Sequence, residues 1–161
     1  MTATKQQAEI RYLIRSDLDE VEEIASSAFR DRWFKSDFTS ELAIRNQIGR
    51  VALIDGRVAG FVVYALHKNR IEILNLCVSG DVRRQGVGST LVDNLKGALT
   101  KLRRSRLTIR VRERNLVAQS FFRSCGFKAS HIERSFFEDG EDAYVMRFSL
   151  LPPNCNNLQK L

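Results

Sequence analysis

Apolar and polar residues alternate along several short segments of the chain, which is the period of a strand with one buried face. Ile10, Tyr12 and Ile14 alternate near the N-terminus, and Leu107, Ile109 and Val111 alternate further on. Asp55-Gly56-Arg57 separates two apolar runs and favours a hairpin. Together these patterns predict strands at Glu9–Arg15, Val51–Ile54, Val58–Leu66, Ile71–Val78, Leu107–Val111, Lys128–Arg134 and Ala143–Leu150.

Between these strands, apolar residues recur at the spacing of an amphipathic helix. This spacing predicts helices at 17–29, Phe38–Asn46, Gly86–Lys101 and from Asn115 to Cys125-Gly126. Ser16 and Asn115 are candidate N-caps, because their side-chain oxygens can accept a backbone N–H of the first turn. The order β-α-α-β-β-β-α-β-α-β-β predicts an α/β (α+β) fold with a mixed, mostly antiparallel sheet of about seven strands and about four flanking helices.

The length of 161 residues suits one domain, which we expect over 9–150 between flexible ends at 1–8 and 151–161. No apolar run approaches the roughly 20 residues of a membrane-spanning helix, and the N-terminus lacks the apolar core of a signal peptide. Cys77, Cys125 and Cys155 form no C-x-x-C pair, so neither a disulfide framework nor a zinc site is indicated. We therefore expect a reduced cytoplasmic location, no membrane and no metal.

The formal charge of +7 is concentrated in one part of the chain, because ten basic and two acidic residues lie between Arg83 and Arg114. Such a basic segment is typical of a protein that binds nucleic acid, an acidic surface or a phosphorylated ligand. Composition alone does not choose among these partners.

The segment from Val78 to Ser89 has the most specific pattern. A strand ends, Arg83 and Arg84 follow, and Gly86 and Gly88 open a helix. Backbone N–H groups at a helix N-terminus are unpaired and lie at its positive end, so they bind phosphate. The pattern lacks the Gly-Lys-Ser/Thr of a P-loop and the third glycine of a dinucleotide fingerprint.

Arg83-x-x-Gly86-x-Gly88 in this position resembles the acetyl-CoA pyrophosphate loop of the GNAT N-acetyltransferases. Further segments resemble the RimI-like N-terminal acetyltransferases of that superfamily. They are Ile14–Phe29, the spacing of Phe29, Trp33 and Phe38, the segment Asn115–Phe127, and Phe136–Met146 with its Asp-Gly-Glu-Asp-Ala core. The resemblance covers nearly the whole chain.

This resemblance implies that acetyl-CoA is the cosubstrate and that its pantetheine arm pairs with the fourth strand. The cofactor-binding residues that it implies are Leu76, Cys77, Val78, Arg83, Arg84, Gln85, Gly86, Val87, Gly88, Ser89, Asn115 and Phe122. The acceptor site that it implies is lined by Phe29, Trp33, Phe136 and Phe137. For Cys77, between Leu76 and Val78, we expect buried packing rather than a role as nucleophile.

Three positions bear on catalysis. Glu72 stands where histone-acetylating relatives have their base, so it is the candidate general base, with a solvated strand residue as the alternative. Arg110 stands where RimI-like enzymes have a catalytic glutamate, and a guanidinium cannot act as a base. Arg110 is expected to pair with Glu72, which would weaken that base, or to select an anionic substrate, or to be structural. Phe122 replaces a general-acid tyrosine and is expected to be non-catalytic, since it has no proton to donate.

The sequence therefore predicts transfer of acetyl to a primary amine, first of all to a protein or peptide N-terminus. A small-molecule amine is the alternative acceptor, and a catalytically weak acyl-CoA-binding module is the alternative of another class. The basic segment alone would also permit a nucleic-acid-binding module. Because CoA phosphates would account for Arg83 and Arg84, nucleic acid is not expected as the main partner. Lys101–Arg106 could contact the ribosome, RNA or the CoA 3′-phosphate, but it is interpreted as a solvated helix end. The oligomeric expectation is a monomer or a homodimer.

Overall fold

A computed structural model describes residues 7–28, 35–83 and 85–150, which form one seven-stranded sheet with helices on both faces. The strands are β1 (Glu9–Tyr12), β2 (Gln47–Ile54), β3 (Arg57–Leu66), β4 (Arg70–Val78), β5 (Arg106–Arg112), β6 (Lys128–Glu133) and β7 (Ala143–Ser149). The helices are α1 (Leu18–Ala28), α2 (Lys35–Ala43), α3 (Val87–Lys101) and α4 (Leu116–Ser124), with short 3₁₀ helices at Arg15–Asp17 and Gly80–Val82. The predicted fold class and element order are confirmed. The predicted flexible ends lie almost entirely outside the described residues.

The strands are arranged in the order β1-β2-β3-β4-β5-β7-β6. All neighbouring pairs are antiparallel except β4 and β5, which run parallel because α3 crosses over between them. No helix in the described part of the chain is long and apolar enough to cross a membrane.

Two apolar cores lie on opposite faces of this sheet. On one face, Leu91 and Leu95 of α3 pack with Ile71, Ile73 and Phe127. On the other face, Leu18 and Val21 of α1 pack with Phe38 of α2 and with Phe61 and Val63 of β3. Every one of these side chains is at least nine-tenths buried. Burial on both faces therefore determines to which face each side chain of β3 and β4 points.

The start of α1 differs from the sequence prediction. Ser16 lies inside the 3₁₀ helix that leads into α1 and does not cap it. The cap residue of this turn is Ile14, and the carboxylate of Asp17 reaches back to accept the Ile14 backbone N–H at 2.8 Å. Asp17 also forms an ion pair with Arg11 at 2.7 Å. The chain leaves β1 at Tyr12 for this turn, which is why the strand is shorter than predicted.

The boundary between α2 and β2 was also predicted too far along the chain. The strand begins at Gln47, four residues before the apolar run, because Gln47 pairs with Ala65 of β3. The backbone N–H and C=O groups of a neighbouring strand can pair with the backbone of polar residues as well. A strand can therefore extend beyond the segment that hydrophobic periodicity identifies.

A feature of β4 opens the sheet at its centre. The β4–β5 ladder extends only from Arg70↔Arg106 to Ile73↔Ile109, although both strands continue. At this point the pairing of β4 with β3 shifts by one residue, so that Leu74 is the extra residue of a β-bulge. The bulge turns the rest of β4 away from β5 and leaves a V-shaped opening.

Candidate active site

The V-shaped opening exposes one backbone edge of β4. Among the described strands, Leu74–Val78 pairs with β3 alone, so the N–H and C=O groups of its other edge have no ladder partner. Leu76 and Val78 are half-buried, whereas Cys77 is 5% exposed and packs in the core beneath α1. Burial raises the pKa of the Cys77 thiol to about 12, so Cys77 is not suited to nucleophilic attack.

The N-terminus of α3, which was predicted to bind phosphate, lies beyond the far end of β4. Gly86 caps the 15-residue helix α3 with φ +81°, a left-handed conformation that favours glycine. The first N–H groups of α3 therefore have no carbonyl within the helix. Arg83, Gln85 and Ser89 are exposed beside this helix start, and Arg84 lies outside the described residues.

Gly88 has a packing role that the sequence did not reveal. It is buried, and a Cβ at this position would lie 3.1 Å from the Phe121 ring and 3.5 Å from a Val78 methyl group. Because Gly88 has no side chain, the Phe121 ring of α4 has room beside it. The neighbouring Val87 is buried in the core.

Asn115 and Phe122 both lie on α4. The Asn115 side chain accepts the backbone N–H of Ala118 at 3.0 Å, which confirms it as the N-cap. Phe122 is 4% exposed, with its ring 5.0 Å from Phe121 and 5.2 Å from Phe127. Phe122 is therefore part of the core and has no polar group to offer.

Charged side chains meet on the β5 side of the opening. Arg110 donates from Nη1 to Oε1 of Glu72, so the ion pair expected from the sequence is present. Arg110 also donates from Nε to Glu133 Oε2 at 2.8 Å and from Nη2 to Oε1 at 3.3 Å. His67 Nε2 lies 2.7 Å from Glu72 Oε2. We call this group the Glu72–Arg110–Glu133 network.

The contact between Arg110 and Glu133 favours the charged form of both side chains. The hydrogen bond from Arg110 lowers the pKa of Glu133, and the same bond raises the pKa of Arg110. The Glu72 side chain is 12% exposed and its two oxygens have separate partners, which fixes its orientation. With neutral histidines, the network carries a net charge of −1.

Two aromatic rings extend this surface towards the β6–β7 connection. The Arg110 guanidinium lies 4.9 Å from the Phe136 ring centroid, and that of Arg112 lies 4.0 Å from the Phe137 centroid. The two rings meet edge to face at 5.1 Å, and Phe136 is 47% exposed. Of the predicted acceptor residues, Phe136 lies beside Arg110 and Phe137 adjoins Phe136, whereas Phe29 and Trp33 fall outside the described residues.

Glu133 and His67 were not predicted from the sequence to be part of the site. Glu133 reaches Arg110 because β7 lies between β5 and β6 and pairs with both, an arrangement that chain order does not reveal. His67 and Glu72 flank the β3–β4 turn, and their closeness in sequence, between two predicted strands, was an available signal. Among the described residues, no group of three or more His, Cys, Asp or Glu side chains could hold a metal ion.

Comparison with known proteins agrees with this geometry. The Acetyltransferase (GNAT) family matches residues 18–127. The ribosomal protein bS18-alanine N-acetyltransferase of Escherichia coli is 29% identical over 140 residues, which are 85% of this chain and 94% of that protein. A crystal structure of the E. coli ribosomal-protein-S18-alanine N-acetyltransferase superimposes with a TM-score of 0.78 at 27% identity, over 91% of this chain and 97% of that one.

A CoA complex also occurs among the structures of this fold. An acetyltransferase of Bacillus subtilis in complex with CoA has a TM-score of 0.74 at 21% identity, over 90% of this chain and 100% of that one. The family match spans most of the chain, and it includes β4, the Gly86 loop and α4. The chain therefore belongs to the GNAT acetyltransferase family and is an acyltransferase.

Proposed function

We propose that this acyltransferase moves an acetyl group from acetyl-CoA to the N-terminal amine of a protein or peptide. The observation that carries the proposal is the V-shaped opening itself. It has a free strand edge and a helix N-terminus on one side, and the Glu72–Arg110–Glu133 network with its aromatic rings on the other. The E. coli relative, named for acetylation of a ribosomal protein alanine, supports this acceptor class.

The residues along β4 and α3 fit acetyl-CoA. The free N–H and C=O groups of Leu76–Val78 can pair with the amide groups of a pantetheine arm, as a neighbouring strand would. The first N–H groups of α3 behind Gly86 can bind the pyrophosphate, and Arg83 adds positive charge. Asn115 lies at the start of α4, whose Phe121 ring packs against Gly88. When bound, acetyl-CoA supplies the acetyl group as an activated thioester. As the C–N bond to the amine forms, the C–S bond breaks and CoA leaves as a thiolate, unassisted or protonated by water, because Phe122 has no proton to donate.

In this proposal, Glu72 accepts the proton of the acceptor amine, directly or through one water molecule. A protonated amine has no free electron pair, so a base is needed before the amine can attack. Each carboxylate oxygen has two acceptor sites, and Arg110 and His67 use one on each. Glu72 therefore keeps acceptor capacity while both neighbours fix its position.

The charge of the site favours a cationic acceptor. Arg110 is shared by two carboxylates, so it has no charge left to attract a carboxylate or phosphate substrate. The Phe136 and Phe137 rings offer apolar surface to the residue that follows the amine. A peptide N-terminus combines a positive group with such a side chain, whereas a small polar amine would leave the rings uncovered.

Replacement of Glu72 by glutamine tests the proposal, with Glu113→Gln as the control because Glu113 is exposed at the end of β5. We expect kcat/KM for an alanine-starting peptide to fall at least about a hundredfold in Glu72→Gln, because a positioned base contributes roughly 10²–10⁴ to the rate. Glu113→Gln should stay within about twofold of the parent rate.

Three results would contradict the proposal in different ways. Full activity of Glu72→Gln at every pH would remove Glu72 as the base. Acetylation of amino acids or polyamines without acetylation of peptides would make the protein a small-molecule acetyltransferase. A rise in melting temperature with acetyl-CoA, without acetyl transfer to any amine, would identify an acyl-CoA-binding module.

A further inference from the structure

Three turns form a continuous positively charged surface at the end of the sheet remote from Gly86. They follow α2, β3 and α3, and hydrogen bonds connect them. Leu66 donates to the Asn46 carbonyl at 2.8 Å, and Ser105 donates to the Asn69 carbonyl at 3.1 Å. The basic residues of this surface, which we call the basic pole, are Arg45, Lys68, Arg70, Lys101, Arg103, Arg104 and Arg106.

The three turns of the basic pole contain no acidic residue. The sequence has no Asp or Glu from 43 to 50, from 65 to 71, or from 99 to 112. Within the described residues, none of the seven side chains forms an ion pair. Arg45, Lys68, Lys101 and Arg103 are exposed. Arg104 donates to the backbone carbonyls of His67 and Leu102 and so helps to connect two of the turns. The exposed cations repel each other, and together they create a positive potential that attracts polyanions.

The cofactor does not account for this charge. Gly86 and Lys101 lie at opposite ends of α3, and 15 helical residues span roughly 22 Å. That separation exceeds the screening length of about 8 Å at physiological salt. The phosphates of a ligand at the Gly86 loop would leave the basic pole uncompensated.

We propose that the basic pole binds the phosphate backbone of double-helical RNA. The pole is built from turns and strand ends and presents no protruding helix of the kind that enters the major groove of DNA. Of the exposed large apolar side chains beside it in the described residues, Ile44 and Leu150 are aliphatic and cannot stack on unpaired bases. Tyr12 shares a cavity with Lys101, but it is a single ring already in contact with Arg50, whereas single-strand binding uses several aromatic rings for successive bases. The shallow minor groove of an RNA duplex is recognised by shape and by backbone contacts, which suits such a surface.

The pole is independent of the proposed acetyl transfer, so the two can fail separately. The test measures fluorescence anisotropy of a labelled RNA duplex of about 20 base pairs, a length that covers one double-stranded-RNA-binding footprint. The full chain is titrated at several salt concentrations between roughly 50 and 200 mM. The pole variant is Lys68→Gln/Arg103→Gln. The control is Arg57→Gln/Arg114→Gln, which removes the same net charge from exposed sites at the other end of the sheet.

We expect the pole variant to bind the duplex at least roughly tenfold more weakly than the parent chain. Its slope of log affinity against log salt should be shallower by about 2, since two phosphate contacts are lost. The control should change affinity by less than about twofold, and saturating acetyl-CoA should not displace the RNA.

Four results would overturn the proposal. Equal weakening in the two double variants would show a response to net charge alone. Displacement of the RNA by acetyl-CoA would locate binding at the Gly86 loop. Equal affinity for a DNA duplex of the same sequence would remove the preference for RNA. Binding to vesicles of anionic lipid without binding to RNA would make the pole a membrane-facing surface.

Discussion

The Glu72–Arg110–Glu133 network and the basic pole differ in how their positive charges are compensated. In the network, Arg110 lies between two carboxylates and above an aromatic ring, so its guanidinium is fully engaged. In the pole, seven cations have no described carboxylate partner. Paired charges fix the geometry of a site, whereas unpaired charges remain available to a partner from outside.

This difference divides a segment that looks uniform in the sequence. Arg83 lies by the Gly86 loop, and Lys96 lies 4.3 Å from the Phe148 ring centroid. Lys101 belongs to the pole, and Arg110 to the network. The ten basic residues between Arg83 and Arg114 therefore contribute to at least three distinct surfaces. A count of charges along a chain does not show which of them are neutralised in space.

The largest effect on stability is expected from Arg110→Ala, which removes the cation shared by Glu72 and Glu133. We expect a loss of about 2 kcal/mol at pH 7, below the 3–5 kcal/mol of a fully buried pair because Arg110 and Glu133 are about one-third exposed. Arg110 holds the pKa of Glu133 below its ordinary value, so this stabilisation is present at neutral pH and decreases as pH falls through the folded-state pKa.

Urea unfolding at pH 7 and pH 4 checks this prediction for Arg110. Arg110→Lys serves as the control, because it keeps the charge and loses the two-pronged contact, and it should cost less than the alanine variant. An identical loss in Arg110→Ala at both pH values would mean that packing on Phe136, rather than ion pairing, carries the effect.

A smaller effect is expected from Asp17→Asn, at a second paired site. Asp17 is 5% exposed, and its hydrogen bond with Arg11 lowers its pKa. Asparagine can still accept the Ile14 N–H, so we expect a loss of about 1 kcal/mol at pH 7. Because the folded-state pKa is depressed, the difference should shrink as pH falls below about 4.

Thermal unfolding across pH 3 to 7 measures the effect at Asp17. Asp81→Asn is the matched control, since Asp81 is exposed and forms no ion pair within the described residues, and it should change stability by less than about 0.5 kcal/mol. A penalty in Asp17→Asn that stays constant with pH would be inconsistent with a stabilising ion pair.

The smallest effect on the free energy of unfolding is expected in the basic pole. There the substitutions should stabilise the protein rather than destabilise it. Lys68→Gln/Arg103→Gln relieves repulsion among like charges, so the free energy of unfolding should rise by up to about 0.5 kcal/mol at low salt. The gain should disappear in about 1 M salt, where the screening length is roughly 3 Å. A loss of more than about 1 kcal/mol in urea unfolding would mean that these side chains have partners within the chain.

The sequence predicted the order of the elements because each core-facing strand and helix keeps its own period. Gln47 was missed as the start of β2, because its place depends on the neighbouring strand. The pairing of Glu72 with Arg110 was predicted from a family resemblance that relates β4 to β5, and the structure contains it. Glu133 was not predicted, since its contact requires β7 to lie between β5 and β6. The local pattern of apolar residues identifies helices and strands. Contacts between residues that are distant in sequence can be predicted only when the strand order of the sheet is known.

The burial of Cys77 affects which nucleophile of such an enzyme can accept the acetyl group. If acetyl-CoA lies along β4 as proposed, a thiol and a thioester share one strand, and a thiolate there would capture the acetyl group by exchange. Burial raises the pKa of the Cys77 thiol to about 12, so a far smaller share of this side chain is ionised near neutral pH than of an exposed cysteine. Its burial beneath α1 thus protects the enzyme from acylating itself and leaves the amine as the nucleophile that competes for the acetyl group.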